Sequence, residues 1–304
     1  MPEEVLRILA PEPGGQYVDC TVGSGGHARL ILEASSPDGE LLGIDADPHA
    51  LEIARTRLAD FGDRVKLVRG RYERVAEIVE SAFFDNVAAL LIDTDVSMDQ
   101  LLGPVGRGRG FTHSRDEPLL MSLDPDQETT ATSLLRDLSE GELLEVFGQV
   151  LRGGEARKVV RAIVRERAEE PIERTGQFTR LLTRALGRSG PALKKRISAA
   201  YLAMRLATNR DLTALRSGIE GAVEVLRPGG VLVVLTYQGL THRVARRTLR
   251  ELEGGAAGPA RLIGAPQREA RIEVLHGTPL RPSSAETERN AAARSAALFA
   301  ARKL

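Results

Sequence analysis

The stretch Tyr17-Val18-Asp19-Cys20-Thr21-Val22-Gly23-Ser24-Gly25-Gly26-His27 constrains this chain more than any other. It reads as a short buried strand, Tyr17 to Cys20, running into a glycine-rich turn and then an amphipathic helix with Leu30 and Ile31 facing inward. Glycines at 23, 25 and 26 let the backbone turn tightly and bring a ligand against main-chain N–H groups, where a side chain would collide. Many βα turns carry glycines, so on this stretch alone a cofactor loop and a plain turn are evenly balanced.

The neighbouring segments weigh the balance. Glu40 to Asp45 is a second short apolar strand, after which Asp47 caps a helix that Pro48 opens. Arg64 to Val68 and Val87 to Asp93 read as the third and fourth strands, and Val231 to Thr236 resumes the sheet after a long helical stretch. Strands alternating with helices imply a parallel, doubly wound sheet that binds its ligand at the carboxyl ends of the strands. Asp45 ends the strand that follows the glycine loop, where an acid accepts hydrogen bonds from ribose hydroxyls. Nicotinamide cofactors, flavins and S-adenosylmethionine (AdoMet) all carry that ribose. Residues 1–100 hold 19 Asp/Glu against 9 Lys/Arg, a balance that suits a cationic sulfonium better than a diphosphate.

Cys20 is the only cysteine, which excludes intramolecular disulfides and cysteine-based zinc sites, and no compact metal-ligand motif occurs. No apolar run has membrane-spanning length, and Met1-Pro2-Glu3-Glu4 does not read as a signal peptide, so a cytoplasmic enzyme is expected. The zero net charge conceals an asymmetry. Residues 101–150 hold 9 acids against 4 bases, whereas residues 151–304 hold 14 against 29. A polyanionic partner for the basic half and pairing between an acidic and a basic lobe account for this equally well.

The segments Val18 to His27, Gly43-Ile44-Asp45-Ala46-Asp47-Pro48 and Leu91-Ile92-Asp93-Thr94-Asp95-Val96-Ser97 resemble the ribosomal RNA small subunit methyltransferase H family. Further matches follow in order through Arg109-Gly110-Phe111, Pro171 to Thr175, Pro228-Gly229-Gly230 and Asn290. The resemblance implies a Rossmann-like class I AdoMet-dependent methyltransferase sheet with an inserted helical domain. It implies methylation of N4 of a cytidine in 16S rRNA, with the small ribosomal subunit as partner. No membrane association is implied, and a homodimer is compatible with it. For the cofactor it implies Gly25, Gly26 and His27 on the methionine side, Asp45 on the ribose, Tyr72 beside the adenine, and Asp93 with Gln100 completing the set. Read chemically, His27 serves as ligand or as helix cap, and Tyr72 as stacking partner or as core.

The expected division is an AdoMet domain over 1–102 and 211–304 and a helical substrate domain over 103–210. Helical patterns run over about 130–147, 155–169, 175–187 and 197–209. Arg157, Arg161 and Arg165 form one stripe, either a phosphate-binding face or a solvated one paired with Glu166 and Glu169. The loop Gly103 to Gly110, which contains Arg109, and Lys194-Lys195-Arg196, placed before the last helix, are candidate phosphate contacts. Arg205, Asn209 and Arg243 match family positions on the substrate side, and Tyr237 is available to stack on a base.

The departures from the family cluster on that side. The family's Asp-Leu-Gly-Val-Ser-Ser-Pro-Gln stands here as Asp93-Thr94-Asp95-Val96-Ser97-Met98-Asp99-Gln100, and its Ser-Phe-His-Ser-Leu-Glu-Asp-Arg as Thr236 to Arg243. An exocyclic amine is a poor nucleophile and needs acceptors on its protons. Asp93 and Asp95 are the candidate catalytic acceptors, with a drifted loop as the alternative for Asp95. A diverged paralogue acting on another RNA, DNA or protein, and a non-catalytic AdoMet- or RNA-binding protein, are the rival readings.

Overall fold

The computed structural model describes residues 1–101, 108–187, 189–254 and 269–304, without the side chains of Met98 and Asp99. In chain order its elements begin α1 (Pro2–Leu9), β1 (Gln16–Asp19), α2 (Gly26–Ala34), β2 (Glu40–Asp45), α3 (Pro48–Arg57), β3 (Val65–Arg69), α4 (Val75–Ser81) and β4 (Val87–Asp93). Helices α5 (Met98–Leu101), α6 (Ala131–Asp137), α7 (Glu140–Gly148), α8 (Gly153–Glu169), α9 (Thr175–Leu186) and α10 (Pro191–Thr208) follow. The chain ends with α11 (Asp211–Val225), β5 (Leu226–Thr236), α12 (Gly239–Leu252), β6 (Ile272–Val274), α13 (Ser284–Arg289) and β7 (Ala297–Lys303). They form two compact units: Met1–Asp95 with Leu212–Leu304, and Val96–Asp211. The expected boundary at 102–103, and the loop from Gly103 up to Arg107, lie outside the described residues.

The first unit is built on a seven-stranded sheet of order β3-β2-β1-β4-β5-β7-β6. Strands β1 to β5 run parallel, and β7 is antiparallel to β5 and β6. This is the Rossmann-like class I methyltransferase sheet. Alternate strand residues face opposite layers. Val18, Leu42, Ile44, Leu90, Ile92 and Val234 pack with Val75, Leu215, Ile219 and Leu249 of α4, α11 and α12. Tyr17, Leu41, Ala89, Leu91, Val233 and Leu235 pack with Val5, Ile31, Leu32, Leu51 and Ala54 of α1, α2 and α3. Both faces are covered, so the strands are apolar on both sides rather than alternating. The order reverses between β1 and β4, and a ligand is expected at the carboxyl ends beside that reversal.

The sheet is not wholly parallel, as the strand–helix alternation had implied. Strand β7 reads Ala-Leu-Phe-Ala-Ala-Arg-Lys, and alanine has low strand propensity, so its period carries no strand signal. What fixes it is tertiary: register against β5 buries Ala297 to Ala301.

In the helical unit the core gathers Phe147, Phe178, Tyr201 and Met204, with Phe178 in ring contact with both Phe147 (6.5 Å) and Tyr201 (5.2 Å). The single helix expected over 130–147 is two. Ser139 accepts from the Glu142 N–H while Glu142 accepts from the Ser139 N–H, and this capping box starts α7 where α6 has ended. Helix α10 starts at Pro191, with proline in its first turn, so Lys194, Lys195 and Arg196 lie inside the helix and not before it. Among the described residues no helix is long and apolar enough to cross a membrane.

Candidate functional site

The carboxyl ends of β1, β2 and β4 bring Asp19, Asp45 and Asp93 together around the glycine turn. Gly25 is the residue before α2 and takes φ +83, a left-handed conformation where a Cβ would also meet Leu58 at 3.3 Å. The turn is pinned on three sides. The Gly25 N–H donates to the Val22 carbonyl (2.7 Å), the Asp93 N–H to the Thr21 hydroxyl (2.8 Å), and an Arg57 N–H to the Ser24 hydroxyl (3.2 Å). The result is a fixed concave turn at the amino end of a helix, which suits close approach of a ligand.

Asp45 accepts from the Gly23 N–H at 2.8 Å through one carboxylate oxygen and from the Asp47 N–H at 2.9 Å through the other. Each oxygen retains a second lone pair for a ribose hydroxyl. Asp47 is the α3 cap expected from the sequence, accepting from the His49 N–H. Burial, opposed by those amide bonds, raises the Asp45 carboxyl to about 6.

His27 does not cap α2; that position is Gly25, without a side-chain bond. Its Nδ1 stands 3.6 Å from an Asp93 carboxylate oxygen, and its Nε2 is buried with no hydrogen-bond partner. Burial lowers the ring to about 4, so at neutral pH the imidazole beside the Asp93 carboxyl is neutral. An orphaned ring nitrogen, a glycine cradle and a ring of carboxylates fit a cationic cosubstrate with a polar amino-acid end.

Asp93 is raised to about 7, first by burial and then by Asp95, while the nearby Tyr237 hydroxyl opposes the shift. The same pairing and burial push Tyr237 upward. Asp95 lies just past β4 and accepts from the Gln238 side-chain amide at 3.2 Å. Two groups here were not singled out from the sequence. Asp19 is 1% exposed, accepts from the Thr21 N–H, and is raised to about 7, chiefly by burial with Asp93 and Asp45 adding to it. Its signal was available, because it ends β1 as Asp45 and Asp93 end their strands. Gln238 follows the end of β5, whose Leu235 is in register with Asp93.

The remaining candidates divide by environment. Tyr72 is half-buried against the sheet core and packs its ring on Gly218 of α11, where a Cβ would meet it at 2.6 Å. Gln100 belongs to the helical unit, is 7% exposed, and accepts from the Ser97 N–H. Arg109 is buried and donates to the Leu123 carbonyl. Asn209 is 1% exposed, donates to the Met121 carbonyl and accepts from the Leu123 N–H. Arg205 is 9% exposed, with its Nε 3.7 Å from Asp211. Lys194 and Lys195 are exposed, while Arg196 pairs with Glu155 at 2.9 Å. Arg243 is exposed on α12. Among the described residues no group of three or more His, Cys, Asp or Glu could hold a metal.

The model of the MraW methylase family matches residues 1–304. The ribosomal RNA small subunit methyltransferase H of Geobacter sulfurreducens is 40% identical over 312 residues, covering 100% of this chain and 97% of that protein. The proteins of the same name from Symbiobacterium thermophilum and Thermomicrobium roseum are 39% and 38% identical, covering 99% and 98% of this chain and 95% and 91% of theirs.

Proposed function

Because the chain belongs to the MraW methylase family and is a methyltransferase, we propose that it methylates N4 of a cytidine in 16S rRNA from AdoMet. The observation that carries the reading is the acid-lined end of the sheet, where Asp93 stands beside His27 and close to the Tyr237 hydroxyl. In this reading Gly25, Gly26, His27 and Asp45 hold the methionine and ribose parts, Tyr72 flanks the adenine, and Gln100 completes the set. Bound AdoMet supplies an electrophilic methyl whose C–S bonding pair stays on sulfur as the amine nitrogen's lone pair forms the new bond.

What the chain must do is hold the amine and take its proton. Asp93 and Asp95 accept the two N–H hydrogens, which raises the electron density on the nitrogen and aims it at the methyl. A carboxylate whose value lies near 7 is well matched to receive the proton that the methylated nitrogen loses. Tyr237 keeps Asp93 oriented and offers a ring face to an unstacked base, since a cytosine inside a helix cannot reach this depth. Lys194, Lys195 and Arg243 are the exposed cations assigned to RNA phosphates. Arg109 and Asn209 serve the substrate side by fixing the backbone of the helical unit, and Arg205 by its pairing with Asp211. Action on the small ribosomal subunit makes the protein cytoplasmic; self-association as a homodimer is compatible with this reading.

The test is transfer of labelled methyl from AdoMet to small subunits from a strain lacking the family enzyme, followed by nucleoside analysis. N4-methylcytidine is the expected product. A different methylated nucleoside, which the substitutions at 94–99 and 236–242 favour as the second reading, would assign a diverged substrate. No incorporation with AdoMet binding intact would overturn both.

A further inference from the structure

A groove of about 250 Å³ runs between α8 and α9 in the helical unit, floored by Ala162 and Ala185 and flanked by Lys158, Arg161, Arg165 and Arg184. Arg184 is paired with Glu166 at 2.7 Å. Lys158, Arg161 and Arg165 are exposed, and among the described residues no acid pairs with them. The solvated-stripe alternative paired Arg157, Arg161 and Arg165 with Glu166 and Glu169; Glu166 is engaged by Arg184 across the groove instead, and among the described residues Glu169 pairs with none of them. Arg157 is not part of the lining.

The geometry suits a polyanion of regular spacing. Lys158 and Arg165 are seven helical steps apart, about 10 Å at roughly 1.5 Å per step, and the row presents three cations over that length. The row therefore offers three cations to the phosphates of one strand, up to three contacts. Residues 151–210 hold 15 Lys/Arg against 5 Asp/Glu, which extends the favourable field around the groove. Ala162, Leu181 and Ala185 leave room for a backbone to lie along the cationic row of α8. We propose that the α8–α9 groove is a phosphodiester-backbone site that grips RNA away from the reacting base; this rests on the reading of the substrate as RNA.

The experiment uses the full chain and a labelled single-stranded 16S rRNA fragment, with binding followed by anisotropy across a salt series. Each phosphate contact on a single strand contributes about 0.7 to the slope of log K against log salt. The Lys158→Ala/Arg161→Ala/Arg165→Ala variant is expected to lose about 2 from the slope and at least tenfold in affinity at low salt. Its AdoMet affinity should be unchanged, which controls for folding, and Arg152→Ala/Arg157→Ala, at the cap and first turns of the same helix, should keep the wild-type slope. A triple variant with wild-type slope and affinity would overturn the groove assignment alone. A wild-type protein that binds no RNA, or releases it to polyglutamate at equal charge, would overturn the RNA reading with it.

A second inference stands on a different contact. Asp95 takes φ +116, a conformation that strains any residue with a side chain, at a position where the resembled family carries glycine. Its carboxylate is held by Gln238, which stands where that family carries histidine. Two departures from the pattern thus meet across the ends of β4 and β5. We infer that Gln238 is a positioning residue that fixes Asp95 as the second proton acceptor beside Asp93, again on the reading that the site methylates an amine. Asp95→Gly relieves the strain, so it should raise Tm while lowering kcat at least tenfold, with KM for AdoMet unchanged. Gln238→Ala should lower kcat similarly in the wild-type background and add nothing to Asp95→Gly. Wild-type kcat in Asp95→Gly would make the loop a drifted one and overturn the inference. A wild-type protein with no transferase activity would instead overturn the reading beneath it.

Discussion

Burial sets three strand-end carboxyls well above their usual range, and the consequences differ by residue. For Asp93, raised to about 7, kcat/KM should climb as pH rises through that value and then level. Asp93→Asn should remove that limb and lower turnover at least 100-fold, measured as initial rates of methyl transfer between pH 5.5 and 9. Asp19 carries a stability consequence instead. Its carboxyl is held protonated more tightly in the folded chain, about 7 against 3.8 unfolded, so folding is favoured in acid and is eroded as pH climbs through that window. His27 has the opposite sign: lowered to about 4 from 6.5, its neutral burial costs stability as pH falls between those values. Asp19→Asn imitates the protonated acid at all pH values. Its Tm should match the wild type at pH 4 and exceed it at pH 8, a gain on the order of 2–4 kcal/mol in denaturant titrations of the AdoMet-free protein. A variant less stable than wild type at pH 8 would mean that Asp19 is held charged.

At the scale of elements, the glycine turn, β2 and β4 were legible because their signals are local: apolar runs closed by Asp, with a capping Asp47-Pro48 pair behind β2. Strand β7, the break between α6 and α7 and the early start of α10 were not, because burial, a reciprocal cap and Pro191 decide them and hydrophobic period does not. The site was legible in the same uneven way. Asp45 and Asp93 announce themselves at strand ends, whereas Gln238 matters only because β5 lies in register with β4. Tyr72 links an element's packing to the proposed adenine contact. Gly218 gives its ring the space to lie against α11, and an added methyl would come within 2.6 Å of it. Gly218→Ala should therefore displace the ring and weaken AdoMet binding about tenfold by calorimetry, at a stability cost of about 1–3 kcal/mol from overpacking. Equal affinity in the variant would mean that Tyr72 serves the core and not the adenine.

Across the whole molecule the charges are sorted by task. The acids concentrate in residues 1–150, whose strand ends are the proposed cofactor site, and the bases in residues 151–304, which include the α8–α9 groove. Two ligands of opposite charge therefore meet opposite fields, and salt should separate them. AdoMet binding depends on carboxylates within a fixed turn, where close contacts are screened little. RNA binding depends on exposed cations and on counterions released from phosphates, so its affinity falls steeply with salt. Raising salt from 50 to 200 mM should raise KM for the RNA substrate at least tenfold while changing KM for AdoMet less than twofold, with kcat at saturation nearly constant. Internal pairing of an acidic with a basic lobe predicts a different pattern, because screening would then loosen the protein itself. Tm would fall with salt, and both KM values would rise together. Measuring Tm and the two KM values across one salt series decides which use the charge asymmetry serves.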